Sequence, residues 1–237
     1  MKKKVAVAMS GGVDSSLTAA LLIEQGYDVI GVTMTLSDES REAGGSTAVS
    51  DAKKVADALN IPHYVVNYHK KFKDDVIKYF ISEYAKGRTP NPCVRCNNTV
   101  KFGSLLKDCL ELGADCVATG HYARIEQDEK TGRYLLKKGL DVRKDQSYVL
   151  YTLTQDVLKH FMLPLGNYSK EKTRELAGKM NLPVANKPES QEICFIPNDD
   201  YKAYLKVKAP HILKPGDIVD VNGNKLGRHE GVPLRSE

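Results

Sequence analysis

No apolar run in this chain approaches the roughly 20 residues that cross a bilayer, so a helical membrane span and a membrane partner are not expected. No secretory leader precedes the first strand: Met1-Lys2-Lys3-Lys4 runs straight into Val5, and a cytoplasmic protein is expected. The glycine-rich turn near the start has no lysine, which excludes GxxxxGK[ST], and it is not GxGxxG either. One CxxC occurs without a second pair, which argues against a four-ligand zinc site. Five cysteines, an odd number without secretory context, argue for free thiols rather than a disulfide framework. There is no internal repeat and no low-complexity tract.

What is present is ordinary for a soluble α/β protein: 237 residues, 27% charged and 41% hydrophobic. That length holds one large or two small domains. The formal charge of +5 permits a nucleic-acid partner without demanding one.

The chain is organised around Ser10-Gly11-Gly12-Val13-Asp14-Ser15-Ser16. The apolar run Val5 to Met9 precedes it, and Leu17, Ala20 and Leu21 follow at helical spacing, so the order is strand, small-residue turn, helix. Two glycines let an anion approach the backbone, and Asp14 or Ser15 is expected to cap the helix. Free amides and the helix dipole favour a phosphate there. The stretch resembles the pyrophosphate loop of the PP-loop ATP pyrophosphatases, which split ATP into AMP and pyrophosphate. The resemblance makes Asp14 a magnesium partner and Ser10 and Ser15 pyrophosphate donors.

Strands and helices then alternate. Strands are expected over 28–34, 61–68 and 116–119, with a mobile loop at 36–48. Helices are expected on Val49 to Leu59, Val76 to Tyr84 (ended by Gly87) and Phe102 to Leu110 (ended by Gly113). The expected fold class is α/β, a doubly wound parallel sheet with its ligands at the carboxyl ends of the strands. Residues 124–136 read as a hairpin, 147–160 and 170–180 as short helices, and 183–198 as a proline-bearing loop around Cys194. The last strands, 217–221 and 225–226, look like the start of a further β-rich domain. The expected division is 1–122 for the ATP-binding domain, 123–209 for a tRNA-contacting region and 210–237 for that β start. The 186–198 loop is expected to pack back on the first domain.

Cys93-Val94-Arg95-Cys96 reads as a loop between prolines and Asn97-Asn98, whereas Cys109 and Cys116 fall on apolar faces and read as core. Cys194 is the third loop cysteine. A thioredoxin-like redox pair would sit at the helix start after the first strand, which the glycine-rich turn occupies, so chemistry at three loop cysteines is favoured over a partly buried thiol before Phe195. Arg88, Arg95 and Lys101 are the nearby cations that could favour thiolates.

Several separate segments then coincide with one family. Arg88-Thr89-Pro90-Asn91-Pro92, Cys96-Asn97, Lys101-Phe102, Ala118 to Tyr122, Lys144 to Tyr148 and Ile193-Cys194-Phe195 resemble the bacterial tRNA-specific 2-thiouridylases from residue 4 to about 231. The resemblance implies an ATP-dependent enzyme that adenylates O2 of the wobble uridine in lysine, glutamate and glutamine tRNAs and replaces it with sulfur. By position, Ala8, Met9, Ser10, Gly11, Gly12, Val13, Asp14, Ser15, Met34 and Gly120 would contact ATP. Asn91, Pro92 and Cys93 would face the target base, and Lys144, Asp145 and Gln146 would touch tRNA. Cys96 would be the nucleophile and Cys194 the persulfide carrier, with a disulfide between them after turnover. Implied partners are tRNA and a persulfide or sulfide donor protein, not DNA.

The chain departs from the pattern at Cys93, where many members carry Asp. Cys93, Cys96 and Cys194 together resemble the three-cysteine [4Fe-4S] sites of other PP-loop tRNA thiolases. The other readings are a different PP-loop adenylating enzyme and a non-catalytic tRNA-binding or sulfur-carrier protein.

Overall fold

The computed structural model describes residues 2–36, 46–189 and 193–234, with Ser46 by its backbone alone. The loop expected at 36–48 falls largely outside these, as does the stretch just before Ile193.

The chain opens with β1 (Lys4–Ala8), the turn at 9–12, α1 (Val13–Glu24) and β2 (Asp28–Thr35). Then come α2 (Ser46–Ala58), β3 (His63–Asn67) and α3 (His69–Phe72), which runs through a π-helical turn (Lys73–Ile77) into α4 (Lys78–Ala85). A second helical run follows the same plan: α5 (Pro92–Cys96), a π-helical stretch (Asn97–Ser104) and α6 (Leu105–Glu111). β4 (Cys116–Ala118) ends the alternation. The hairpin of β5 (Ala123–Gln127) and β6 (Tyr134–Lys138) leads to α7 (Gln155–Leu158), β7 (Phe161–Met162), α8 (Lys170–Lys179) and α9 (Tyr201–Lys208). β8 (Gly216–Val219) and β9 (Lys225–His229) form a second hairpin.

Among the described residues, five strands form one sheet in the order β3-β2-β1-β4-β7, every pair parallel. A parallel sheet needs cover on both faces, and the alternation of β1 supplies it. Val5, Val7 and Met9 point at Ala19, Leu22, Ala52 and Val55 of α1 and α2. Ala6 points the other way, with Ile30 and Val32, into Phe72, Val76, Phe80, Phe102 and Leu105. Helices therefore lie on both faces, the doubly wound arrangement. α1 has a second apolar side as well: Val13, Leu17 and Leu21 meet Tyr122, Leu165, Ala177 and Leu182, so α8 packs outside it.

Three elements differ from the sequence reading. Phe161-Met162, placed there among short helices of the second region, forms the fifth strand of the main sheet. Two residues are too few for any periodicity to show. α9 falls where no particular helix was assigned, although Asp200 caps it through a bond from the Ala203 amide (2.8 Å) and Tyr201, Tyr204 and Leu205 pack on the core at i, i+3, i+4 spacing. The third is the Cys93–Cys96 segment, which is helical rather than a loop. Asn91 is its N-cap, accepting from the Cys93 and Val94 amides at 3.0 and 3.2 Å, and Pro92 occupies the first turn. Asn-Pro was itself a helix-start signal.

Two glycines make opposite tests of packing. A Cβ on Gly166 would lie 1.9 Å from the Ala123 carbonyl oxygen, backbone against backbone, whereas one on Gly178 in α8 would meet nothing within 4 Å. Gly166→Ala is expected to cost about 1–3 kcal/mol or more by overpacking. Gly178→Ala is expected to add up to about 1 kcal/mol by restricting the unfolded chain. Urea melts of the two variants beside the parent measure both.

Candidate active site

The sheet order reverses between β1 and β4: β2 and β3 lie on one side of that pair, β7 on the other. The loops leaving neighbouring strands in opposite directions open a crevice at their carboxyl ends. The glycine-rich turn leaves β1 and Gly120 leaves β4. They touch: a Cβ on Gly120 would lie 2.9 Å from Asp14 C and Ser15 N. Gly11, at φ +69°, faces the Ala48 carbonyl of α2 so closely that a Cβ would stand 2.4 Å from its oxygen.

The expected side-chain cap on α1 is absent. Gly12 is the N-cap, and it has no side chain to spend on the first-turn amides. Ser15 Oγ instead accepts from the Ser10 amide (3.1 Å) and lies 3.3 Å from Ser10 Oγ, while Ser16 Oγ donates to the Gly12 carbonyl (2.8 Å). The serines therefore brace the turn and leave its amide face open to an anion. Ala8 and Met9 end the strand that delivers this turn. Met34 lies partly buried near the end of β2, its side chain packed on the core cluster that holds Ile30 and Val32.

Asp14 is not a free carboxylate. Lys170 Nζ lies 2.7 Å from both of its oxygens, and the Tyr122 hydroxyl donates to it at 2.9 Å. Tyr122 O–H also lies 3.0 Å from Thr173 Oγ1, and burial raises its pKa far above the usual phenol range. Lys170 is 3.5 Å from Glu189, which pairs with Lys144 at 2.9 Å. Desolvation works to raise the Glu189 pKa, but the bond from Lys144 and the charge of Lys170 outweigh it, and the net direction is down. Lys187 reaches the turn from the same segment: its ammonium donates to the Gly11 carbonyl (3.0 Å) and to Asp51 (2.7 Å), and that bond lowers the Asp51 pKa. Lys170, Lys187, Tyr122, Asp51 and Glu189 were not read as site residues. Lys170 lies 156 positions from Asp14 and Lys187 176 from Gly11, so no local pattern joins them, and only Tyr122, directly after Gly120-His121, offered a clue.

The thiols form a second group of candidate residues. All five cysteines are free, with Cys93 and Cys194 exposed and Cys96 buried. Cys194 feels the charge of both Cys96 and Cys93, and Cys96 feels that of Cys93, so the three stand within electrostatic reach of one another. Cys109 is buried in the cluster that also holds Cys96, and Cys116 in the cluster on the opposite face of the sheet. The Cys194 loop is pinned by the next residue: Phe195 meets Phe72, Phe80 and Tyr204 edge-on at 5.6, 5.3 and 5.5 Å between ring centroids. Burial pushes the Cys96 thiol pKa up, and the Lys101 ammonium pulls it partly back. The Cys194 pKa also goes up, first by desolvation and then by Cys96, and again Lys101 opposes the rise. Cys194 itself meets solvent, which tempers that desolvation. Of the three cations near in sequence, only Lys101 acts on both thiols. Arg95 turns to the Asp75 carbonyl (3.1 Å) and lies over the Tyr79 ring, and Arg88 pairs with Glu83 at 3.3 Å.

The Lys101 charge also reaches His121, the residue after Gly120. His121 lies 2.8 Å from Thr119 Oγ1 through Nδ1, beside the Phe102 ring. Its pKa is pushed down to about 3 by burial first and Lys101 second, so the imidazole is neutral at physiological pH.

The expected tRNA triplet is turned largely inward. Asp145 accepts from the Gly139 amide (2.9 Å) and from Ser147 Oγ (2.7 Å). Gln146 Oε1 accepts from the Tyr122 amide (3.0 Å). A magnesium ion suits the oxygens around Asp14. A [4Fe-4S] cluster needs thiolates around one point. Cys93, Cys96 and Cys194 have the right chemistry, yet among the described residues no three such side chains are gathered closely enough to hold a metal. No step below is therefore derived through a cluster.

A doubly wound sheet with a phosphate-ready turn at its switch point defines a nucleotide-binding α/β protein. The chain belongs to the family described as the tRNA methyl transferase HUP domain, whose model matches residues 3–198. It is 56% identical over 240 residues to the tRNA-specific 2-thiouridylase MnmA of Carboxydothermus hydrogenoformans, covering 98% of this chain and 66% of that protein. It is 57% identical to tRNA-specific 2-thiouridylase MnmA 1 of Caldanaerobacter subterraneus subsp. tengcongensis, with the same coverage. The chain thus spans 66% of the length of these curated relatives. Among solved structures, NMN synthetase from Francisella tularensis shares the fold at TM-score 0.50 and 16% identity, over 89% of this chain and 75% of that one.

Two outcomes test the electrostatics. Iodoacetamide at pH 7.5 is expected to label Cys93 before Cys96, and Cys109 and Cys116 last. Lys101→Met is expected to move the pH midpoint of Cys194 labelling upward, since it removes the charge that favours the thiolate. Peptide mass spectrometry reads both. His121, depressed in the folded state, binds fewer protons than it does unfolded between its ordinary pKa of 6.5 and about 3. Stability is therefore expected to fall as pH drops through that window and to stay level above it. His121→Gln is expected to flatten the slope, measured by urea midpoints against pH.

Proposed function

We propose that this chain carries the ATP-splitting and sulfur-transfer centre of a tRNA 2-thiouridylase. The observation that carries the reading is the Lys101 ammonium. It acts on Cys96, Cys194 and His121, while His121 adjoins the glycine that abuts Asp14 and Ser15. In this reading that one cation joins an anion-ready turn to a group of thiols. The relatives' printed names supply the substrate class.

The chemistry follows from those parts. The C2 carbonyl of uridine is a poor electrophile. ATP, its triphosphate on the amides after Gly11 and its magnesium shared with Asp14, is attacked at the α-phosphorus by O2 of the wobble uridine. Pyrophosphate leaves, and O2 becomes part of an AMP leaving group. Sulfur arrives from a donor protein as a persulfide on Cys194. The terminal sulfur attacks C2 and AMP departs with the old oxygen. The Cys96 thiolate then attacks Cys194 Sγ, the Sγ–sulfur bond breaks toward the base, and 2-thiouridine is released with a Cys96–Cys194 disulfide. An external thiol reduces that disulfide. Both thiols must be deprotonated against the upward pull of burial, and Lys101 supplies the opposing charge. The base leaves its stack to reach the edge, where Asn91, Pro92 and Cys93 face it. Phosphate oxygens of tRNA compete with Glu189 for Lys144.

With a tRNA transcript, ATP and a persulfide donor, Cys96→Ser and Cys194→Ser are expected to keep AMP release and lose 2-thiouridine. Asp14→Ala is expected to lose both. Mercury-affinity gels and AMP chromatography separate these results. Thiolation that survives loss of both cysteines would overturn the sulfur route and point to another adenylating chemistry. Iron and sulfide bound stoichiometrically after anaerobic purification would replace the persulfide by a cluster.

A further inference from the structure

Gly11 and Gly12 are joined by a peptide unit with no side chain on either side of it. Turning such a unit over changes only ψ of Gly11 and φ of Gly12, and glycine accepts a wide range of both. The glycine at 11 is required, because a Cβ there would stand 2.4 Å from the Ala48 carbonyl oxygen and φ is +69°. The turn before α1 therefore contains one peptide whose direction its own sequence leaves open. That direction matters. In a trans unit the carbonyl and the N–H point opposite ways, so a carbonyl turned toward a phosphate repels it and removes a donor as well.

The two carbonyls of the pair are held by different means. That of Gly12 lies at the helix start, where Ser16 N (3.3 Å), Ser16 Oγ (2.8 Å) and Ser15 Oγ (3.2 Å) donate to it. That of Gly11 lies outside α1. Among the described residues the one donor it meets is Lys187 Nζ, at 3.0 Å. Lys187 is itself fixed from behind. Its amide donates to the Val184 carbonyl (3.0 Å), and its own carbonyl accepts from Arg174 of α8 (3.2 Å). Its ammonium also meets Asp51 of α2 at 2.7 Å, and that carboxylate offsets part of its charge. What Lys187 gives the turn is thus direction more than charge. With the Gly11 carbonyl drawn to the ammonium, the Gly12 N–H points away from it.

We infer that Lys187 is a positioning residue that locks the Gly11–Gly12 peptide, so that the Gly12 N–H is presented as a donor to the phosphates of the nucleotide. The ammonium stays on the Gly11 carbonyl when nucleotide is bound, and no covalent bond changes. The inference rests on the reading of Ser10 to Ser15 as an ATP loop.

Glycine NMR and calorimetric titration with metal-free inorganic pyrophosphate test it on the whole chain. In the sequence only Gly12 and Gly45 follow another glycine. Labelling glycine with 13C at the carbonyl and 15N at the amide therefore marks those two N–H groups alone, and Gly44→Ala tells them apart. The parent is expected to show one sharp Gly12 signal that moves on adding pyrophosphate. Lys187→Met is expected to double or broaden that signal before any ligand is added, and to weaken pyrophosphate about fivefold or more, the scale of one hydrogen bond. Lys187→Arg, which still donates, is expected to restore one sharp signal and to recover affinity to within about twofold. A weakened affinity with a single sharp Gly12 signal in Lys187→Met would mean that the ammonium touches phosphate itself, and overturns the inference. Lys187→Met leaves Asp51 without this cation and can fail to fold, so Asp51→Asn/Lys187→Met is also compared with Asp51→Asn. Equal pyrophosphate affinity of those two overturns the assignment. A parent that does not bind pyrophosphate fails the ATP-loop reading first and this inference with it. A parent that binds while the Lys187 variants match it fails this inference alone.

Discussion

The structure depends on one close approach. β1 and β4 are adjacent and parallel, and the loops that leave them diverge to opposite faces of the sheet. For the crevice to close at its base, the residue after β4 must lie against the backbone of Asp14 and Ser15, where a Cβ would stand 2.9 Å from both. Glycine at 120 allows it. The turn, the first-turn amides of α1, His121 and the thiol helices are all placed relative to that contact. The chemistry proposed for this edge also needs a sulfur nucleophile at the same base, and Cys96 and Cys194 come from other segments than these two loops.

Two electrostatic regimes meet there. On the turn side the chain neutralises its own anion site: Lys170 covers Asp14, Lys187 covers Asp51, and Lys144 covers Glu189. Such pairs hold a polar crevice in shape while it is empty, and the first and third are partners that a phosphate or a metal can displace. On the thiol side the pull is toward neutrality. Burial raises the thiol pKa values and lowers that of His121, and Lys101 is the cation acting on all three. The same ammonium therefore favours thiolate at Cys96 and Cys194 and neutral imidazole at His121.

Cover comes from distant parts of the chain. α8 lies outside α1, and Phe195 enters the ring cluster of Phe72, Phe80 and Tyr204. Lys187 thus reaches the turn and α2, while Phe195, after Cys194, enters the cluster on the opposite face of the sheet. β7 adds to the same sheet from beyond the first hairpin, so the hydrophobic core does not stop where the βα alternation does.

The sequence by itself determined the strand–turn–helix at Ser10 to Ser16, the alternation that makes a parallel doubly wound sheet, the two hairpins, and the burial of Cys109 and Cys116 on apolar faces. These rest on local periodicity and on small residues whose spacing has one backbone solution. Cys93 to Cys96 was legible as chemistry but misread as loop, although Asn91-Pro92 is a helix start. Only the tertiary structure decided which cations matter. Arg88 and Arg95, nearest to the cysteines along the chain, turn away to Glu83 and to Asp75, while Lys101 serves both thiols and Lys170, 156 positions from Asp14, closes on its carboxylate. A charge acts through space, with a reach of a few ångströms, and sequence distance carries no information about it until the sheet has closed.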